Sequence, residues 1–515
     1  MAGIYIHIPF CRQKCNYCNF FSLATTKFRD EFFQALLMEI ELTRDYLGGK
    51  PIETVYFGGG TPSLLPVSQV EEIIEKIRDT RYAINTPPPA PPLKGSGEKR
   101  KAKNVIARIP STRETWQSEK RKTRDQEITL EMNPDDVTPE YLEALSASAV
   151  NRVSLGIQSF FDEDLHYLTR SHDARQAERS IKMIVDAGNQ IPDKITEIRN
   201  TKYEVRRRIS EKRIANRGSR IGSLSVDLIY GIPTLTNEHW KENLQRVIDL
   251  GIPHLSAYAL TVEPKTPLAW QIKRGTERRA QGTEHRAQGT EYRAQGTEHR
   301  AKSEERSEQS SGIQSSSHPA SSIFVTARSE TTKQRQPVSD EQSAEQFDIL
   351  MDTMELHGYV QYEISNFCLP GYESRHNNNY WRGIPYLGLG PSAHSYNGTS
   401  RRWNISSLSS YIRDLGFGIL PFEEEILTPI QRYNEYVMTS LRTIGGIDLQ
   451  EITQRFGPDY ANYFRHQALR HQAFANVSAD ERTSGFLQES EGIYTLTKKG
   501  KFLADGIAAD LFAVD

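Results

Sequence analysis

The sequence predicts an α/β protein: a parallel sheet, open or curled into a barrel, followed by a small separate C-terminal domain. Three observations lead there. Short runs rich in β-branched and aromatic residues recur along the chain, an apolar helical face lies between the first two, and three compositionally odd stretches interrupt the alternation without joining it.

The predicted strands are 3–8 (GIYIHI), 53–57 (ETVYF), 128–132, 152–155, 226–230 and 254–259. Within 26–47, Phe28, Phe32, Leu36 and Ile40 recur every four residues with Phe33 and Leu37 beside them, which is one apolar face of a helix. Repeated strand–helix alternation argues for parallel strands joined by right-handed crossovers. In such sheets a ligand sits at the carboxyl ends of the strands, so chemistry is sought just after each strand. Residues 428–515 differ in texture: three helical patterns, a hairpin at LQESEGIYTLTKKG and a final helix.

The chain's 515 residues carry 64 Lys plus Arg against 66 Asp plus Glu, but unevenly. Stretches 86–126, 191–222 and 274–337 are all basic, and the 378 residues outside them hold 32 basic and 50 acidic side chains. So acidic a body is a poor match for nucleic acid. The third stretch repeats GTERRAQ, GTEHRAQ, GTEYRAQ and GTEHRAK every seven residues, without the apolar pair that a coiled coil needs in each heptad. With little to bury, the three stretches are expected to be disordered surface insertions. The expected organisation is a barrel over 1–270, its completion over 338–427 and a C-terminal domain over 428–515. Limited proteolysis should cut within the insertions first, and deleting 274–337 should leave the protein's melting and cofactor content unchanged.

Several classes are excluded. Four cysteines in 515 residues do not make a disulfide scaffold, and no apolar run of about 20 residues offers a membrane span. The start, MAGIYIHIPFC, lacks the pattern of a secretory signal, so a reducing cytoplasm is expected and the cysteines are read as metal-binding or catalytic.

Cys11, Cys15 and Cys18 follow the first strand on one loop. Three thiolates this close can hold a zinc ion or three corners of an iron–sulfur cluster. Zinc wants a fourth ligand, for which His7 is the only nearby candidate. After the second strand comes Gly58-Gly59-Gly60-Thr61-Pro62, where glycines let the main chain approach a ligand and present N–H groups. Glu131 ends the third strand, Gln158 follows the fourth and Asp227 lies in the fifth. Together on one rim these residues point to a nucleoside pocket.

At these residues the chain resembles a known family. The Cys-x-x-x-Cys-x-x-Cys loop and the GGGTP turn are similar to those of radical S-adenosylmethionine (SAM) proteins. More narrowly, YIHIPFC, VYFGGGTPSLL, ITLEMNPDD, RVSLGIQSF, SVDLIYGIP and HNNNYW resemble the oxygen-independent coproporphyrinogen oxidase family, and especially its haem-chaperone branch. The resemblance implies a partial (β/α) barrel with a small helical or winged-helix-like C-terminal domain, and a 4Fe-4S cluster on Cys11, Cys15 and Cys18. The open iron would take the amine and carboxylate of SAM. It also implies SAM contacts at Tyr5, Tyr17, Gly59, Gly60, Thr61, Glu131, Gln158, Arg170 and Asp227.

Two departures choose the branch. The oxidases have a further cysteine two residues after the third, where this chain has Phe20, and they carry an N-terminal extension, whereas here the first strand begins almost at Met1. Both favour the chaperone branch, in which the segment resembling HNxxYW makes His376, Tyr380 and Trp381 candidate haem contacts. Haem and a haem-accepting protein are then the expected partners, with an electron donor and peripheral membrane docking as further options. The competing expectations are an oxygen-independent coproporphyrinogen III oxidase and a radical SAM enzyme with another substrate. Cys368 is read as a buried free thiol. The C-terminal hairpin could mark a winged-helix DNA binder, but mixed charge favours a docking or lid role.

Overall fold

The computed structural model describes residues 1–82, 126–188, 222–274, 339–471 and 485–514. The three basic stretches lie outside the described residues, apart from Gln126, Gly222 and Arg274 at their margins.

Six parallel strands cross the centre of one sheet in chain order: β1 (Ala2–Ile8), β2 (Ile52–Gly59), β3 (Glu127–Met132), β4 (Arg152–Gln158), β5 (Ser223–Tyr230) and β6 (His254–Ala259). Between them lie α1 (Arg29–Leu42), α2 (Val67–Tyr82), α3 (Pro139–Ala147), α4 (Asp162–Tyr167), α5 (Ala174–Gly188) and α6 (Asn237–Asp249). Helix α7 (Asp340–Leu356) leads to an antiparallel hairpin of β7 (Val360–Glu363) and β8 (Asn366–Cys368), which adds to β6. Helix α8 (Arg375–Trp381) then carries the chain to the opposite edge. There β9 (Tyr386–Leu389) pairs parallel with β1, and β10 (His394–Tyr396), β11 (Ser400–Asn404), α9 (Leu408–Gly416) and β12 (Phe422–Ile426) follow. The order is β12-β11-β10-β9-β1-β2-β3-β4-β5-β6-β8-β7. Among the described residues no ladder joins β12 to β7, so the sheet stays open, a partial barrel.

The central strands alternate between two chemistries. Ile4, Ile6, Ile8, Val55, Phe57, Ile128, Leu130, Val153, Leu155, Val226, Leu228 and Leu255 are buried in the main apolar core. The positions between them are polar or small: Gly3, Tyr5 and His7 in β1, Thr54 and Tyr56 in β2, Thr129 and Glu131 in β3. Ser154 in β4, Ser225 and Asp227 in β5, and His254 and Ser256 in β6 continue the set. Register pairs such as Tyr56 with Thr129, Glu131 with Ser154, and Asp227 with Ser256 put this set on one face, since partners in a ladder point the same way. A barrel interior is ordinarily filled by branched apolar residues. A polar interior is one built to hold something polar.

Helix α1 bears out the predicted apolar face with one exception, Phe28, which precedes the helix and is 42% exposed. The same helix buries Glu39, which accepts hydrogen bonds from the Tyr411 hydroxyl (2.5 Å), the Asn404 amide (2.6 Å) and Gly390 N–H (2.8 Å). That carboxyl fastens α1 to the β9–β12 edge, and burial pushes its pKa up.

The C-terminal domain comprises α10 (Pro429–Leu441), β13 (Ile447–Asp448), α11 (Leu449–Phe456), α12 (Pro458–Ala468), the hairpin β14 (Leu487–Ser490) and β15 (Ile493–Leu496), then α13 (Lys498–Phe502) and α14 (Ala504–Asp510). Thr428 and Gln431 start it with a capping box. Tyr433, Val437, Ile452, Phe464 and Leu511 form its own core. It joins the barrel at the β7–β8 hairpin: Ile364 N–H donates to Arg442 O at 3.1 Å, and Arg442 Nε meets the buried Glu363 carboxylate at 3.1 Å. No helix of the described residues is long and apolar enough to cross a membrane.

Candidate functional site

At the carboxyl end of β1 the chain leaves the sheet as a closed loop. Cys11 N–H donates to Leu23 O at 2.9 Å, and Leu23 N–H to Pro9 O at 2.8 Å. The loop is fastened from three sides. Asn16 N–H donates to Thr169 Oγ1 (2.9 Å) and its amide to Tyr167 O (2.8 Å), Arg12 pairs with Asp136 (2.7 Å), and Leu268 N–H donates to Asn16 O (2.9 Å). Cys11 is buried, Cys15 and Cys18 half-buried, and all three are free thiols. Burial pushes the Cys18 thiol up, and Cys15 and Cys11 add to the shift, so the three sit within electrostatic reach of one another.

Among the described residues no three Cys, His, Asp or Glu side chains converge closely enough to hold a single metal ion. Tetrahedral zinc, with Zn–S bonds of about 2.3 Å, draws its sulfurs to about 3.8 Å apart. A cube-shaped cluster takes one thiolate per iron corner and leaves them farther apart. His7 does not complete a zinc set either: its Nε2 bonds Phe21 O at 2.8 Å and its Nδ1 the Tyr5 hydroxyl at 3.2 Å.

The glycine turn makes a close approach within the protein. Gly59 has φ of 109°, where side chains are strained, and a Cβ there would lie 2.7 Å from the His7 ring; one on Gly60 would lie 2.5 Å from Phe10 O. Gly60 N–H donates to Ile8 O at 2.8 Å, and Gly59 N–H supports the Glu131 carboxylate. These glycines let the turn press against the cysteine loop, with Gly60 N–H spent on Ile8 O.

Two carboxyls face the interior beside this turn. Burial pushes Glu131 up to about 7, helped by the Asp227 charge and opposed by the Tyr56 hydroxyl, which donates to it at 2.7 Å. Burial likewise pushes Asp227 up to about 6, against hydrogen bonds from Ser256 and Ser154. Among the described residues neither carboxyl has a Lys or Arg within ion-pair distance. Buried carboxyls without a contacting cation are suited to receive one.

Opposite them stands Arg170. Its Nη1 donates to Cys15 Sγ at 3.4 Å, and its Nη2 to Gly156 O at 2.7 Å and to Asn133 Oδ1 at 2.8 Å, while Nε is buried without a partner among the described residues. Burial pushes the Tyr17 hydroxyl up, and the charges of Arg170, Cys15 and Cys18 reach it. Gln158, at a bulge in β4, is held at φ of 75°, a conformation that costs energy in a non-glycine residue and concentrates at functional sites. The structure therefore gathers Cys11, Cys15, Cys18, Tyr5, Tyr17, Gly59, Gly60, Thr61, Glu131, Gln158, Arg170 and Asp227 at one end of the sheet. Sequence reasoning missed Tyr56 and Asn133. The signal for Tyr56 was the polar–apolar alternation of the strands.

His376 is placed elsewhere. Helix α8 crosses the amino ends of β1–β3, where Glu127 accepts from the N–H groups of Arg375 and His376, both at 2.9 Å. From there the His376 ring enters the interior from below, stacking on Tyr56 with centroids 4.9 Å apart and bonding Thr54 Oγ1 through Nδ1 at 2.9 Å. Burial lowers its pKa to about 4. The cavity beside it is about 10 Å³, room for about one water and not for a porphyrin. Tyr380, 44% exposed, lines the same cavity and packs on Tyr386 with ring centroids 5.3 Å apart, and Trp381 lies under the Arg442 guanidinium at 5.2 Å. Cys368 is a fully buried free thiol, with burial pushing its pKa up to about 12.

Comparison with known proteins agrees with this arrangement. Residues 5–198 match the radical SAM superfamily and residues 427–503 the HemN C-terminal domain. Heme chaperone HemW of Bacillus subtilis (strain 168) is 25% identical over 509 residues, covering 98% of each chain. Heme chaperone HemW of Escherichia coli (strain K12) is 26% identical over 397 residues, covering 76% of this chain and 69% of the other. The solved structure of coproporphyrinogen III oxidase (HemN) from Escherichia coli, described as a radical SAM enzyme, superposes with a TM-score of 0.61 at 19% identity, covering 99% of this chain and 90% of that one, so the two share a fold. An open parallel barrel with a three-cysteine loop after its first strand thus carries a radical SAM domain, here joined to a HemN-type C-terminal domain. Over nearly its whole length the chain is similar to the HemW heme chaperones.

The radical SAM superfamily implies a 4Fe-4S cluster and SAM. The residues present fit both: three free thiols on one fastened loop, a guanidinium whose buried Nε has no partner among the described residues, and two buried carboxyls without a contacting cation.

Proposed function

We propose that the protein is a haem chaperone: it binds haem and passes it to an acceptor protein, and it carries a 4Fe-4S cluster on Cys11, Cys15 and Cys18 with exchangeable SAM. The observation that carries this reading is the extent of the likeness to HemW of Bacillus subtilis, 98% of either chain. Phe20 supports it. The residue stands where the resembling oxidases have a cysteine, and its side chain is 61% exposed, so it contributes neither a thiol nor packing there.

When bound, the cluster supplies a redox centre with one iron open to SAM. The chain's own residues do the rest. Glu131 and Asp227 offer negative charge to the cationic parts of SAM, Arg170 takes its carboxylate, and Tyr5, Tyr17 and Gln158 line the space between. Burial favours the neutral form of His376, and in the tautomer that donates Nδ1–H to Thr54 its Nε2 lone pair would be available to haem iron. With so small a cavity beside it, haem binding at His376 requires the residues lining that cavity to move apart. Four free cysteines among the described residues suit a reducing cytoplasm.

Two measurements test the assignment. Haem titration of anaerobically reconstituted protein, followed by absorbance, should show a bound species weakened by His376→Ala. The same protein given SAM, an electron donor and coproporphyrinogen should form no protoporphyrinogen. Sustained turnover would replace the chaperone reading with the oxidase, whereas haem binding indifferent to His376 would keep the function and move the haem site.

A further inference from the structure

We propose that Asn133 is the positioning residue of the cofactor pocket: its amide sets the Arg170 guanidinium against Cys15 and ties it to the glycine turn. The proposal rests on the SAM-pocket reading above and adds to it a residue outside the inferred cofactor contacts.

Asn133 directly follows β3 and begins the short turn Pro134–Asp136. An asparagine there ordinarily caps the turn with its own side chain. This one does not: the turn is closed by main chain, Asp136 N–H donating to Asn133 O at 3.0 Å, and the side-chain amide makes no cap bond. The amide reaches across the pocket instead. Nδ2 donates to Thr61 Oγ1 at 3.1 Å, and Oδ1 accepts from Arg170 Nη2 at 2.8 Å. The crossing passes over Gly156, where a Cβ would touch Asn133 Oδ1 and Arg170 Nη2 at an ordinary 3.6 Å and would crowd only Gln158 Nε2, at 3.0 Å.

The chemistry of the position is narrow. One planar group must donate towards Thr61 and accept from Arg170, which an amide does with its two ends. A carboxylate could accept from both, because the Thr61 hydroxyl can turn and donate, but its charge would compete with a ligand carboxylate for the guanidinium. Leucine has a similar volume and neither function. Without Asn133 the guanidinium keeps only Gly156 O and Cys15 Sγ and loses the neighbour that fixes its plane. Two consequences follow: a ligand carboxylate meets a misaligned Arg170, and the N–H···S bond to Cys15 weakens. Hydrogen bonds to ligating sulfur help set a cluster's reduction potential.

The test uses the full chain, anaerobically reconstituted, as wild type, Asn133→Leu and Asn133→Asp. Iron and sulfide content, the SAM dissociation constant, the reduced-cluster EPR spectrum with and without SAM, and the midpoint potential of the SAM-free cluster are measured. Asn133→Leu should keep iron and sulfide at the wild-type level, weaken SAM binding about tenfold or more, and lower the potential. Asn133→Asp should fall between Leu and wild type in SAM affinity. SAM affinity and potential both unchanged in the Leu variant would overturn the proposal, as would loss of the cluster in both variants, since that would make Asn133 a folding residue. If wild-type protein shows no response to SAM, the pocket reading falls, and the potential of the SAM-free cluster still decides the role of Asn133.

Discussion

Cys15→Ala is expected to abolish the cluster, leaving anaerobically reconstituted protein with sulfide and iron near background while the chain remains folded. The reason is geometric. All three thiols hang on one loop closed by the Phe10–Leu23 bridge, and the loop is held to the barrel by Asn16, Arg12 and the main chain rather than by metal. The loop's hold on the barrel therefore does not run through the thiols, but the cluster depends on every thiol, because the one other cysteine, Cys368, is buried in β8 far along the sheet. His7 cannot substitute while both its ring nitrogens are engaged. Iron and sulfide analysis with Mössbauer spectroscopy reads the result. A cluster retained in full by the variant, or stoichiometric zinc without sulfide in the wild type, would defeat the assignment.

How far the sequence carried this picture depended on the kind of signal. The six central strands were legible because each is a short β-rich run, and their ends moved by at most three residues in the structure. The edges were not. Strands β7 to β12 are three to five residues long, too short for a period to show, and β9 is placed by pairing with β1, which lies more than 380 residues away in sequence. In the C-terminal domain the hairpin was readable from its turn, whereas β13, two residues long, becomes a strand only by pairing with β15. Glu39 shows the same limit in a helix. On an amphipathic pattern a glutamate reads as solvated, and only the folded chain reveals the hydroxyl, amide and N–H that satisfy it from residues 390–411.

The site divides similarly. Cysteine spacing and the positions just after strands were enough to bring most of the pocket together, since the carboxyl ends of parallel strands converge by construction. The roles of its glycines and of His376 were less readable. Gly59 and Gly60 fit any close approach, and only the contacts with His7 and Phe10 show which one is met. His376 was read beside Tyr380 and Trp381 as one segment, and α8 sets the first two on one small cavity with Trp381 packed edge-on against Tyr380. The imidazole meets Tyr56, the half-exposed phenol meets Tyr386 and the indole meets Arg442. Tyr56 thereby touches both ends of the interior, stacking on His376 and donating to Glu131.

Glu131→Gln is expected to make the SAM-free protein more stable at pH 8 while weakening its hold on SAM. Burial, with the Asp227 charge behind it, raises the Glu131 carboxyl in the folded chain from 4.5 to about 7. The native state therefore holds this proton more tightly than the unfolded state does. Between pH 4.5 and 7 stability falls as pH rises, and above the folded pKa the full penalty is present, up to ~3 kcal/mol for a shift of this size. Below pH 4.5 both states are protonated and the penalty vanishes. Glutamine keeps an acceptor for the Tyr56 hydroxyl but never ionises, so the variant should match wild type at pH 4 to 5 and melt higher at pH 8. A cationic ligand reverses the balance, because it stabilises the ionised glutamate and gains nothing from the amide. Thermal melts at the two pH values, with and without SAM, measure both effects. A variant that melts no higher than wild type at pH 8, or that binds SAM as tightly there, would show that Glu131 is not held as an unpaired carboxyl awaiting a cation.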